Sequence, residues 1–106
     1  MSLFSLFQNK SSDLSPNEFR EKMNSDLNYT LLDVRTSDEF TEGSIEGAKN
    51  LDFFSARFKE EVLKLSKDKN CYVYCKSGMR SGKAVKFLNE NGYTAFNLKG
   101  GISAWK

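Results

Sequence analysis

Histidine is absent from the 106 residues, so any proton transfer or metal binding has to proceed without an imidazole. Cysteine is scarce: only Cys71 and Cys75 occur. A pair of thiols without histidine falls short of the usual ligand set for zinc, so neither a metal nor another cofactor is expected. Both thiols lie in a stretch that reads as extended, where their Cα atoms would stand about 13 Å apart at ~3.3 Å per residue. A disulfide needs less than about 7 Å. Two unbridged thiols suit a reducing compartment, and the cytoplasm is the expected location. No apolar run approaches the ~20 residues that cross a bilayer. A surplus of one charge is missing too: 16 Lys and Arg stand against 14 Asp and Glu, a net charge of +2. That balance argues against nucleic acid or membrane as a partner, and any cationic function has to be local.

The length fits one domain with a single core. The segment Met1-Ser2-Leu3-Phe4-Ser5-Leu6-Phe7 has neither a basic start nor a small-residue cleavage site. Residues 1–13 read as an N-terminal leader, expected to be mobile, ahead of a domain spanning 14–106. A second reading has its Phe and Leu side chains cover an exposed part of the core.

The one proline, Pro16, sits in a dense helix-start signal. Ser15 can cap, Pro16 suits the first helical position, Glu18 completes a capping box, and Leu14 and Phe19 occupy the positions of a hydrophobic staple. Tyr29 to Val34 reads as a buried strand ending in Asp33-Val34-Arg35. Thr36 and Glu39 repeat the capping box ahead of a short helix that stops at Gly43. Ser55 to Ser66 reads as an amphipathic helix with Phe58, Val62 and Leu65 on one stripe. Cys71 to Tyr74 is a strand, Ser81 to Asn91 a helix ended by Gly92, and Thr94 to Leu98 a strand. Gly100-Gly101 turns the chain into Ile102 to Trp105. Strands alternating with helices predict an α/β domain with a largely parallel sheet, whose ligands bind at the carboxyl ends of strands.

Cys75-Lys76-Ser77-Gly78-Met79-Arg80-Ser81 falls at such an end. A thiol with an ordinary pKa near ~8.5 is mostly protonated at neutral pH, and cations or a helix N-terminus lower that value by stabilising the thiolate. Lys76 and Arg80 flank the sulfur, Gly78 lets backbone N–H groups converge, and a helix follows. The loop therefore reads as an anion pocket around a nucleophile, Cys75, with Lys76, Ser77, Gly78, Met79, Arg80 and Ser81 as substrate-binding candidates. Cys71, inside the strand, reads as packing. Asp33 and Arg35 read as supports that tether a neighbouring loop.

Asp33-Val34-Arg35, Glu39-Phe40, Gly43-x-Ile45-x-Gly47-Ala48-x-Asn50, Cys75-x-x-Gly78-x-Arg80-Ser81 and Asn97-Leu98-x-Gly100-Gly101-x-x-x-Trp105 together resemble a single-domain rhodanese, from about Leu14 to the C-terminus. The family often carries His where this chain has Ser44. The resemblance implies a rhodanese-like α/β fold: a central, mainly parallel five-stranded sheet with helices on both faces. It also implies thiosulfate:cyanide sulfurtransferase-type chemistry, in which a Cys75 persulfide carries sulfur from a small anionic donor to a thiol or cyanide acceptor. The alternative is a persulfide relay or interaction module acting on a sulfur-acceptor protein. A phosphatase or arsenate reductase with a Cys-x5-Arg loop is disfavoured, because the sixth position after Cys75 is Ser81. The expected state is a monomer.

Overall fold

In the computed structural model, which describes residues 12–106, five strands form one all-parallel sheet. They are β1 (Asp13–Leu14), β2 (Tyr29–Asp33), β3 (Lys49–Asn50), β4 (Asn70–Tyr74) and β5 (Ala95–Leu98), in the spatial order β1-β5-β4-β2-β3. The helices are α1 (Pro16–Asn24), α2 (Ser37–Glu42), α3 (Phe58–Val62) and α4 (Met79–Glu90), followed by a 3-10 turn at Ile102–Ala104. Residues 1–11, most of the expected leader, lie outside the described residues.

The central strand explains the layering. β4 is flanked by β2 and β5, and its side chains alternate between two buried faces. Val73, with Cys71 and Cys75, packs against Phe58 and Val62 of α3 and Ala84, Val85 and Leu88 of α4. Tyr72 and Tyr74 point the other way, against Phe19 and Met23 of α1 and the C-terminal Trp105. Tyr72 is the hub of that second face: edge-on to Phe19 at 5.5 Å between ring centroids and stacked on Phe96 at 5.6 Å. Each such fully buried side chain contributes roughly 1.5–3 kcal/mol through its apolar area.

Two helices begin as the sequence predicts. Ser15 and Glu18 close a capping box at α1, and Thr36 and Glu39 close a second at α2. Three boundaries differ from expectation. The sheet starts at Asp13, inside the expected leader, because the carbonyls of Ser12 and Leu14 accept from the N–H groups of Asn97 and Lys99. α3 covers only Phe58–Val62 rather than Ser55 to Ser66. Arg57 supplies no side-chain cap, and the Tyr93 hydroxyl donates to the carbonyls of Val62 and Leu65 (3.3 and 2.7 Å), which anchors the chain in a turn where a helix would continue. α4 begins at Met79, two residues ahead of the expected Ser81. Gly78, at φ +104°, reverses the backbone directly into the helix, a conformation that side chains disfavour. Arg80 and Ser81 consequently sit in the first helical turn. Among the described residues, no helix is long and apolar enough to cross a membrane.

Candidate active site

Cys75 is the first residue past β4, and its side chain is fully buried. Two donors point at its Sγ: the Gly78 N–H at 3.0 Å and the Ser81 hydroxyl at 3.3 Å. Ser81 is itself fully buried, so its hydroxyl is held on the sulfur rather than shared with water. Burial pushes the Cys75 thiol up. The Ser81 hydroxyl and the N–H groups of Ser81, Gly78 and Ser77 more than offset this, and the net direction is down from the ordinary thiol value. The same dipoles that stabilise a thiolate would stabilise a terminal persulfide or an anionic leaving group in this pocket. Cys71, by contrast, has its thiol pushed up to about 11 by burial alone and is inert packing in this sense. Both cysteines are unbridged.

The cations behave differently from the sequence expectation. Arg80 is not a free charge beside the sulfur. Its guanidinium donates to both carboxylate oxygens of Glu39, Nη1 to Oε1 at 2.9 Å and Nη2 to Oε2 at 3.2 Å. Glu39 is the N3 residue of the α2 capping box and also accepts from the Thr36 N–H at 2.9 Å. The Arg80 hydrogen bonds, against some desolvation and with help from Thr36, hold the Glu39 carboxyl down at about 2, so the pair is fully ionised at neutral pH. Lys76 is exposed and lines a recess of about 180 Å³ with Arg35, Glu39, Gly43, Ile102 and Ser103. The donors on the Cys75 sulfur are therefore amides and one hydroxyl, while Arg80, which interacts with Cys75 through its charge, is hydrogen-bonded to an acid.

Ser77 and Met79 are exposed at the mouth, whereas Asp33 and Arg35 are buried. The Arg35 guanidinium donates to Asp33 Oδ2 at 2.7 Å and to the Gly43 carbonyl at 2.6 Å. The Asn50 amide bridges the carbonyls of Asp33 and Arg35. This cluster fixes the end of α2, and with it Glu39, so its action on Cys75 is indirect.

Two positioning residues escaped the sequence reading. Glu39 reads in the sequence only as a helix cap, although the Glu39-Phe40 pair is part of the family resemblance. Asn97 donates to the Gly78 carbonyl at 3.2 Å and to Asp13 Oδ1 at 2.7 Å, and so braces the turn that aims the Gly78 N–H. From below, Ile102 and Ser103 donate to the carbonyls of Cys75 and Lys76 (2.9 and 3.2 Å). That close approach requires Gly101, where a Cβ would collide with both carbonyls.

Ser81→Ala is expected to raise the Cys75 pKa, because it removes the leading stabilising hydrogen bond and leaves the burial penalty. Iodoacetamide alkylation followed against pH would then shift its midpoint upward, and the rate at neutral pH would fall roughly tenfold for one charge-assisted hydrogen bond of about 1.5 kcal/mol. An unchanged midpoint would show that the hydroxyl does not act on the sulfur.

Comparison with known proteins gives a consistent picture. The family profile described as Rhodanese-like domain matches residues 15–106. The Bacillus subtilis protein YtwF is 36% identical over 94 residues, covering 89% of each chain. An Allochromatium vinosum protein named sulfurtransferase is 37% identical over 76 residues, 71% of this chain and 69% of that one. The crystal structure of a rhodanese-like domain protein from Staphylococcus aureus superposes with a TM-score of 0.78 at 29% identity, covering 90% of this chain and 91% of the other.

Proposed function

The chain belongs to the rhodanese-like domain family, and on that premise we propose that it transfers sulfane sulfur through a persulfide on Cys75. The observation that carries this reading is the pair of donors on Sγ, the Gly78 N–H and the Ser81 hydroxyl, at the first turn of α4. They stabilise a sulfur anion without a general base, which suits a chain that has no histidine.

The chemistry follows from that geometry. The Cys75 thiolate attacks the outer sulfur of thiosulfate or a similar sulfane donor. A Cys75 Sγ–S bond forms, the donor's S–S bond breaks, and sulfite or the equivalent group leaves with the bonding electron pair. The terminal sulfur anion inherits the environment of the loop N–H groups. An acceptor thiolate or cyanide then attacks that outer sulfur, and Cys75 departs as the thiolate it was at the start. No external oxidant or reductant is needed, since the acceptor is oxidised by the same two electrons that reduce the donor as one sulfane sulfur changes carriers. The cycle needs Cys75 free and reduced, so we place it in the cytoplasm.

Incubation with a panel of sulfane donors followed by intact-mass measurement tests this. One added sulfur atom, removed again by cyanide, is the expected result. A chain that takes up no sulfur from any donor would refute the reading.

A further inference from the structure

Beside the cysteine site, the apolar face between α3 and α4 stays open. Phe53, Phe58 and Phe87 floor a groove of about 280 Å³. Lys59, Lys83 and Lys86 stand along it, and Glu90 is the one acid of its lining. All three lysines are exposed, and among the described residues none of them is in an ion pair. Arg57, just ahead of α3, is by contrast occupied by Glu60 and Glu61. The Lys59 ammonium lies over the Phe87 ring, 5.3 Å from its centroid, so a cation borders the aromatic floor directly.

A chain of side-chain contacts links the groove to Arg80, in the helical turn that follows Cys75. The Arg80 guanidinium carbon lies 5.5 Å from the Phe54 ring centroid; Phe54 is 5.8 Å from Phe53, and Phe53 is 5.3 Å from Phe58. Next to Arg80 two large apolar side chains stand open to solvent, Phe54 at 69% and Met79 at 72% exposure. Single exposed apolar residues are ordinary; one in the Cys75 loop and one against Arg80, leading through aromatic contacts to a lysine-lined groove, form a surface. At 1.5 Å of rise per residue, the groove end at Glu90 lies about 15 Å along α4 from Arg80.

We propose that this groove docks an acidic segment of a sulfur-accepting protein and delivers a thiol of that segment to Cys75. The proposal rests on the sulfur-transfer reading above and names the acceptor class for it. The charge pattern selects the occupant. Three unpaired ammonium groups against one carboxylate favour an acidic chain and repel a basic one, while the aromatic floor takes an apolar anchor. A small thiol or cyanide uses none of this surface. An extended segment covers the distance in about five residues, so the reactive thiol and the apolar anchor lie within one short stretch. In the transfer step the acceptor thiolate attacks the outer sulfur of the Cys75 persulfide. The new S–S bond forms on the acceptor, the Cys75 Sγ–S bond breaks, and Cys75 leaves as thiolate with the electron pair.

The test uses the full chain loaded with sulfur from thiosulfate and two synthetic peptides of about ten residues, long enough to span the groove in extended form. Each carries a terminal cysteine and one phenylalanine; one peptide is otherwise rich in glutamate, the other in lysine. Transfer to the glutamate peptide is expected to run at least about tenfold faster at low salt and to lose that advantage as salt rises. The triple substitution Lys59→Glu, Lys83→Glu, Lys86→Glu is expected to reverse the preference while turnover with cyanide stays unchanged. Equal rates with the two peptides, or a preference that survives the charge reversal, would overturn the proposal. So would competition for the groove from within the preparation, seen as crosslinks from the three lysines to residues 1–11 or as a dimer whose formation blocks the peptide. A protein that never loads with sulfur overturns the sulfur-transfer reading itself, a result distinct from loading normally and showing no peptide preference.

Discussion

Cys75→Ser is expected to abolish sulfur uptake from every donor while changing stability by no more than about 1 kcal/mol. The two halves of this expectation have separate causes. A serine hydroxyl is slightly smaller than the thiol and fits the same fully buried position. It can still accept from the Gly78 N–H and the Ser81 hydroxyl, the two donors on the native sulfur. The fold therefore keeps its packing and leaves no orphaned polar group. Chemistry does not survive, because the pocket stabilises a thiolate by lowering an already accessible pKa, and an alcohol remains protonated under the same influence. Intact mass after exposure to thiosulfate reads the first effect and a urea unfolding midpoint the second. Sulfur found on the substituted chain would implicate Cys71, whose thiol burial pushes up to about 11, and would contradict the assignment.

Gly101→Ala is expected to be the most damaging single methyl group that can be added to the active-site support. Gly101 adopts φ +65°, ψ −165°, a region essentially confined to glycine, where a side chain costs roughly 1–3 kcal/mol in backbone strain alone. Its Cβ would also collide with the Cys75 and Lys76 carbonyls. These are backbone atoms fixed at the end of β4, so relief requires the 3-10 turn to move away. That breaks the bonds from Ile102 and Ser103 to the same carbonyls. The total, several kcal/mol, is a large share of the ~5–15 kcal/mol that holds a domain folded. Gly47→Ala supplies the control. Gly47 is at φ +89° with nothing within 4 Å of its would-be Cβ, so only strain opposes it. Equal unfolding midpoints for the two variants would show that the Gly101 contact carries no weight.

Local signals explain which parts of this molecule were legible beforehand. Both capping boxes, the proline at the first position of α1 and the terminating Gly92 are decided within a few residues, and they appear where their chemistry requires. The strand, glycine turn and helix around Cys75 are legible for the same reason, since they are adjacent in the chain. The extent of α3 was not, because its end is held by Tyr93, which is 28 residues from Leu65. The pairing of Asp13 with the sheet was equally hidden: its partner strand lies at the far end of the chain. Arg80 is the instructive case. Its neighbours in sequence suggest a cation serving the sulfur, and the structure adds a partner no local pattern records, Glu39, 41 residues away, which accepts from its guanidinium.

What the sequence determines by itself is the candidate thiol and its nearest donors: a cysteine at a strand end, a turn at Gly78, and a hydroxyl in the first turn of the following helix, all adjacent in the chain. What only the tertiary structure decides is the surroundings of that nucleophile. The sheet order brings Glu39 to Arg80 and Asn97 to Gly78, and the packing of α3 against α4 leaves an aromatic, lysine-lined groove open between them. These depend on contacts between segments distant in the chain, whose partners no local pattern of residues records.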